Sequence, residues 1–135
     1  MKLRHTRIVT KDVRALARFY QDITGLKPEG SDDYLEFRTS SGAFAISSQQ
    51  KMDEHGAGAT VPATNRCMVL DFEVDDVDKE RQRLESIVPR FVLDPKDQPW
   101  GNRSMLFRDP DGNLINFFAP SRRAAVREDP EHAKV

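Results

Sequence analysis

Leu3–Thr10 alternates apolar and polar residues well enough to predict a strand with Ile8 facing inward. Asp12 then stands where a helix N-cap is expected. The run DVRALARFYQDITGL puts Val13, Leu16, Tyr20 and Ile23 at helical spacing, with Phe19 beside them, and Gly25 is a natural C-terminal stop. YLEFRTSSGAFAISS reads as two short strands about a Ser-Ser-Gly turn. Residues 49–66, QQKMDEHGAGATVPATNR, are polar, rich in Gly and Ala and without period, which predicts a linker or flap. CMVLDFEV is the next strand. DDVDKERQRLESIV is a second helix, capped by Asp75 or Asp76, with Val77, Leu84, Ile87 and Val88 as a sparse apolar stripe and Pro89 as its end. Arg90–Leu93, Ser104–Arg108 and Leu114–Phe118 follow as strands, and the charged tail from Ser121, which carries Pro130, is expected to be frayed or loosely docked.

The order is βαβββ twice, which points to an internal repeat and an α+β chain. Asp12-Val13 matches Asp76-Val77, and Ile8 matches Phe72, at one offset. Phe37-Arg38 matches Phe107-Arg108, and Gly42 matches Gly112, at an offset longer by six residues, which fit in the loop around Asp94–Trp100. Module one is then 1–48, the linker 49–66, module two 67–120 and the tail 121–135. The stretch DPDGNLINFF raises a separate question, because Asp109, Asp111 and Asn113 resemble an acidic cation loop. A helix–loop–helix calcium site needs its Gly later, a longer loop and a distal Glu. Asp first, Pro second and Gly fourth belong instead to a type I turn followed by a bulge.

Composition narrows the function classes. A chain of 135 residues suits one domain with a genuine core, and 38% hydrophobic with 32% charged residues reads as soluble and globular. The net charge of −1, without any Lys/Arg run, gives no polycationic face for nucleic acid. No stretch approaches a membrane span, and the N-terminus lacks an apolar signal segment. The single cysteine, Cys67, rules out an intrachain disulfide and favours a reducing, cytoplasmic setting; it reads as a small buried hydrophobe. No Ser/His/Asp arrangement, phosphate-cradling Gly loop or cofactor motif is present. His55 in the linker and His132 in the tail read as solvated, and Glu73 as solvent-exposed.

HTRIVTKDVRALARFY, VLDFEVDDVD and RDPDGNLINFF together resemble the vicinal oxygen chelate superfamily, which includes glyoxalase I, bleomycin- and fosfomycin-resistance proteins, extradiol dioxygenases and methylmalonyl-CoA epimerase. The resemblance covers about Met1 to Pro120. It implies two βαβββ modules that form curled half-barrels around a cavity, usually within a homodimer. It also implies four ligand positions in metal-using members, on the first and last strand of each module. Here the first-strand position, seven residues before Asp12, is His5, with Val69 as its repeat mate. The last-strand position, four past Gly112, is Asn116, and its mate four past Gly42 is Ile46. Glyoxalase-like enzymes have His and carboxylates there, and fosfomycin-type and dioxygenase-type sites need two His and one Glu. A catalytic divalent ion needs about three protein donors with an open position, whereas Val69 and Ile46 have none and Asn116 offers a neutral carbonyl. No metal and no cofactor are therefore expected.

The same resemblance puts Phe44 and Phe118 beside Ile46 and Asn116 on the cavity-facing strand faces, so that with Val69 they would form an apolar wall. His5, Arg7, Asp71 and Asn116 are its polar points. His5 is either a surviving ligand or an imidazole hydrogen-bonded to a neighbour; Arg7 and Asp71 either bind a polar ligand or pair with each other. Trp100 either borders the cavity mouth, or packs under the sheet edge or against a second subunit, and Arg103 either offers two parallel hydrogen bonds to a carboxylate or serves the surface. The expectation is a bleomycin-resistance-like protein that binds a small, partly apolar molecule in a dimer cavity without a catalytic metal. The alternatives are a metal-dependent lyase, isomerase or dioxygenase built on His5, a metal-free His5–Asp71 acid–base pair, and a vestigial pocket serving as an interaction module.

Overall fold

The structure is a computed structural model and describes residues 1–121. The chain runs β1 (Thr6–Thr10), α1 (Val13–Thr24), β2 (Glu29–Gly30), β3 (Tyr34–Arg38), β4 (Ala43–Ser48), α2 (Gln49–Gly56), β5 (Val69–Glu73), α3 (Val77–Leu84), β6 (Phe91–Asp97), β7 (Asn102–Arg108) and β8 (Leu114–Pro120). The strands form two unclosed four-stranded sheets, ordered β1-β4-β3-β2 and β5-β8-β7-β6. In each, the first strand runs parallel to the last and the other pairings are antiparallel. The α+β class and the tandem βαβββ modules are thus as the sequence predicts. Two compact units divide the chain: Met1–Asn65 with Asp109–Gly112, and Arg66–Arg108 with the chain from Asn113.

Local signals fix both long-range helices. Asp12 accepts from Ala15 N at 3.1 Å, and Gly25, left-handed at φ 73°, donates its N–H to Gln21 O. Between them Val13, Leu16, Ala17, Tyr20 and Ile23 are buried. In the first unit these residues meet Phe37 and Phe44, whose rings stack at 4.8 Å. Asp76 caps α3 through Lys79 N at 3.1 Å, and Val77 and Leu84 are its buried residues. The helix ends at Leu84, short of Val88, which stays buried in the following turn. In the second unit Phe107 and Phe117 meet edge to face at 5.1 Å.

Three segments differ from expectation. Gln49–Gly56, read as linker, is helical, started by Ser48, whose hydroxyl accepts from Lys51 N at 3.0 Å. It buries no residue, so it has no apolar stripe for a pattern to reveal. Strand β6 continues past Leu93 to Asp97 despite Pro95. It is an edge strand, and its register shifts between Leu93 and Lys96, so the missing N–H breaks no ladder. Strand β1 starts at Thr6, not Leu3.

The two hairpins also differ. Phe37 faces Phe44, whereas Phe107 faces Ile115, so the second hairpin is one residue longer. In the first, Thr39 N donates to Gly42 O across a tight turn. In the second, Gly112 is left-handed at φ 86°, its N–H reaches Asp109 O at 2.9 Å, and Asp111 N donates to Asp109 Oδ1 at 2.9 Å. Asp109 thus serves the turn. Gly112→Ala is expected to lower stability by about 1–2 kcal/mol, the strain of a left-handed non-glycine residue; a denaturation midpoint matching the parent's would show that the turn relaxes without cost.

Candidate functional site

Strand side chains alternate between faces, and contacts with α1 identify the faces of the first sheet. Tyr20 on α1 meets Phe44 at 5.0 Å and Phe37 at 6.4 Å. Leu35, paired with Ile46, and Ile8, paired with the same residue, share that α1 face. Phe44 and Ile46, expected as cavity wall, are therefore core, 5% and 0% exposed. The cause is the longer second hairpin: counting four residues past each glycine lands one position out of step in module one. Asn116 pairs with Asp71 as Ala45 pairs with Arg7, so the mate of Asn116 is Ala45.

The opposite face of the first sheet carries Arg7 and Val9 from β1, Ala43, Ala45 and Ser47 from β4, and Tyr34, Glu36 and Arg38 from β3. Arg7, Ala45 and Glu36 lie in one row; Val9, Ser47 and Tyr34 lie in the next. His5 Nε2 lies 3.2 Å from the Tyr34 hydroxyl, which donates to Glu36 Oε2 at 3.4 Å. Glu36 Oε1 pairs with Arg38 at 3.3 Å. Arg7 Nη2 donates to Met52 Sδ of α2 at 3.3 Å. Loss of hydration and the Glu36 carboxylate raise the Tyr34 phenol above its ordinary pKa, against a smaller downward pull from Arg7 and Arg38. Tyr34 is thus a protonated donor at neutral pH. Sequence reading passed over this chain, although the alternation of YLEFR opposes Tyr34, Glu36 and Arg38 to Leu35 and Phe37.

In the second sheet, Val69 pairs with Leu114, Asp71 with Asn116 and Glu73 with Phe118, while Leu106 and Ser104 of β7 pair with Asn116 and Phe118. Val69, Asp71, Asn116 and Phe118 therefore share one face, as expected, and Val69 is 43% exposed. Asn116 Nδ2 donates to Asp71 Oδ1 at 2.9 Å, and the Asn116 Oδ1 is buried without a partner. Arg103 is on the other face. It grips Asp78 of α3 with two 2.9 Å bonds and reaches Asp97 at 3.3 Å, so its fork is already filled. Of the two readings of Arg103, this ion-paired arrangement accords with the surface role. Trp100 is exposed in the turn before β7, and Cys67 is exposed, not buried. His55 is exposed on α2, Glu73 is exposed, and His132 lies outside the described residues.

Taken one by one, His5 carries an imidazole, Val69 and Ala45 carry no donor atom, and Asn116 carries an amide whose nitrogen is bound to Asp71. Among the described residues no group of three or more His, Cys, Asp or Glu stands together to hold an ion.

The sequence pattern of the Glyoxalase/Bleomycin resistance protein/Dioxygenase superfamily matches residues 2–117. The uncharacterized protein YraH of Bacillus subtilis (strain 168) is 29% identical over 125 residues, spanning 87% of this chain and 98% of its own. A protein of unknown function from Agrobacterium tumefaciens str. C58 superposes with a TM-score of 0.77 at 28% identity, over 90% of this chain and 95% of that one. A glyoxalase/bleomycin resistance protein/dioxygenase family enzyme from Burkholderia phytofirmans PsJN shares the fold, with a TM-score of 0.78 at 17% identity over 90% of this chain and 100% of that one. No helix among the described residues is long and apolar enough to cross a membrane.

Proposed function

The chain belongs to the Glyoxalase/Bleomycin resistance protein/Dioxygenase superfamily, and from that premise we propose that it binds a small, partly apolar molecule on the open faces of its sheets, without a catalytic metal. Homodimerisation and residence in the cytoplasm are part of the proposal; the first comes from the family and the second from the lone cysteine. The observation that carries the reading is the open face of module two. There an exposed Val69 and half-buried Phe118 and Leu106 surround the hydrogen-bonded Asp71–Asn116 pair. Such a surface offers apolar area with a few fixed polar points, as small-molecule sites do. The metal-dependent alternative needs a third strong donor that neither face supplies.

Thermal unfolding against a panel of aromatic and antibiotic-like molecules tests the reading, with and without EDTA. A ligand at one hundred times its Kd adds about 2.7 kcal/mol of stability and raises Tm by several degrees. The expected hit is indifferent to EDTA and recovered chemically unchanged. About one equivalent of Zn, Ni, Mn or Fe retained after desalting, at the donor stoichiometry a catalytic site requires and lost in His5→Ala, would overturn it in favour of metal-dependent chemistry.

A further inference from the structure

We propose that α2 and the residues that follow it, Gln49 to Thr60, form a lid on the open face of module one, which lifts from β1 and β4 while the rest of its unit stays folded. The lid belongs to the empty protein, so it goes beyond the small-molecule reading and does not depend on it. Arg7 pairs with Ala45 on the face opposite α1, and its guanidinium donates to Met52 Sδ of α2 at 3.3 Å. The helix therefore folds back from Ser48 over the β1–β4 pair, and it packs on both strands. Ala45 and Ser47, which β4 turns to that face, are fully buried.

The closed position is weakly held. A helix of 8 residues is too short to persist by itself and depends on tertiary packing, yet α2 has no fully buried residue. The thioether of Met52 is a weak acceptor. The bonds of Gln49 to Asp53 and of Lys51 to Glu54 run within the helix and hold it to nothing else. Closure also leaves polar atoms unsatisfied. Ser47 Oγ on the strand, Gln49 Oε1 at the start of the segment and Thr60 Oγ1 at its end are all buried without a hydrogen-bond partner. Each loses its hydration for nothing in return and regains it on opening. The two ends are suited to act as hinges. Ser48 is fixed to Asp33, through its N–H to Asp33 O at 2.9 Å and its hydroxyl to Asp33 Oδ1 at 3.1 Å. Gly58, left-handed at φ 78°, lies at the far end. A segment with few buried contacts and unsatisfied polar groups opens at a free energy well below that of global unfolding.

Thiol labelling of the full chain tests the lid without any ligand. Cys67→Ser removes the exposed native thiol. In that background Ser47→Cys places a thiol under the lid, and Ala17→Cys places one in the core beneath α1. Each is labelled with a disulfide reagent across a urea series, and its rate is compared with the rate that the variant's own global unfolding allows. The Ser47→Cys thiol is expected to label at least tenfold faster than that limit, with little dependence on urea, and the Ala17→Cys thiol at the limit. Glu54→Gly, an exposed change that weakens α2, is expected to speed the first about threefold and leave the second unchanged. Labelling of both thiols at the global limit, with equal and steep urea dependence, overturns the lid. A fast Ser47→Cys rate that Glu54→Gly does not change overturns α2 as the segment that opens.

Discussion

Phe44→Ala is expected to lower stability by about 3–5 kcal/mol, the range for truncating a buried phenylalanine. The ring is 5% exposed, lies parallel to Phe37 at 4.8 Å and meets the edge of Tyr20 at 5.0 Å. Three aromatic groups cannot collapse into the space that one of them vacates, because each is held by its own helix or strand. The loss therefore combines the transfer term with a persistent cavity. Guanidinium denaturation with an unchanged m-value measures it. Phe118→Ala, on the open face of module two, is expected to cost much less and to act on ligand affinity instead. If Phe44 stood on a ligand face, its truncation would leave stability within about 0.5 kcal/mol and abolish binding. That result would reverse the register of the first sheet and return Ile46 to the candidate site.

The register is the point at which sequence reading and structure part. Caps, stops and periodicity are local, so Asp12, Gly25 and Asp76 are legible as they stand. The repeat is legible for the same reason: two N-capped helices in the same strand order announce two modules. Which strand face meets the helix is a different kind of fact. It depends on the number of residues in a turn, and a single added residue reverses every side chain beyond it. The glycines of RTSSGA and RDPDGN look equivalent in sequence, yet only Gly112 is left-handed. Counting from the glycines therefore pairs Asn116 with Ile46, one residue out of step with the strand register.

Helix α2 was illegible for an energetic reason. An amphipathic stripe appears where a helix must bury a face, and α2 has no fully buried residue; Met52 accepts a hydrogen bond from Arg7 of β1. The polar residues of the first open face were legible in principle from the alternation in YLEFR. They lie outside the ligand positions that the resemblance implies, and three of those four positions lack a strong donor. Arg103 shows the converse. Its distance in sequence from Asp78 hides the ion pair that occupies it.

Tyr20→Phe is expected to lower stability by about 2–3 kcal/mol, as loss of a hydrogen bond to a buried charged group does. The Tyr20 side chain is fully buried and Asp109 is 5% exposed. The hydroxyl donates to Asp109 Oδ2 at 2.6 Å, within the range of a charge-assisted bond. The other oxygen, Oδ1, accepts from Asp111 N within the turn. The bond ties α1 to the Asp109–Gly112 turn, which clusters with module one although its flanking strands belong to module two. Burial first, and then the Asp109 carboxylate, hold the Tyr20 phenol far above its ordinary pKa. In the unfolded chain the same group ionises near pH 10. A raised folded-state pKa means that the stabilisation is complete below about pH 10 and declines as pH rises further, because the unfolded state alone releases the proton. The difference between the parent and Tyr20→Phe should therefore be constant through neutral pH and shrink by roughly 1.4 kcal/mol for each unit above 10. Denaturation midpoints from pH 7 to 11 measure both effects. Parallel alkaline limbs, or a gap under about 0.5 kcal/mol at pH 7, would mean that Asp109 finds its compensation elsewhere and that the turn holds its place without α1.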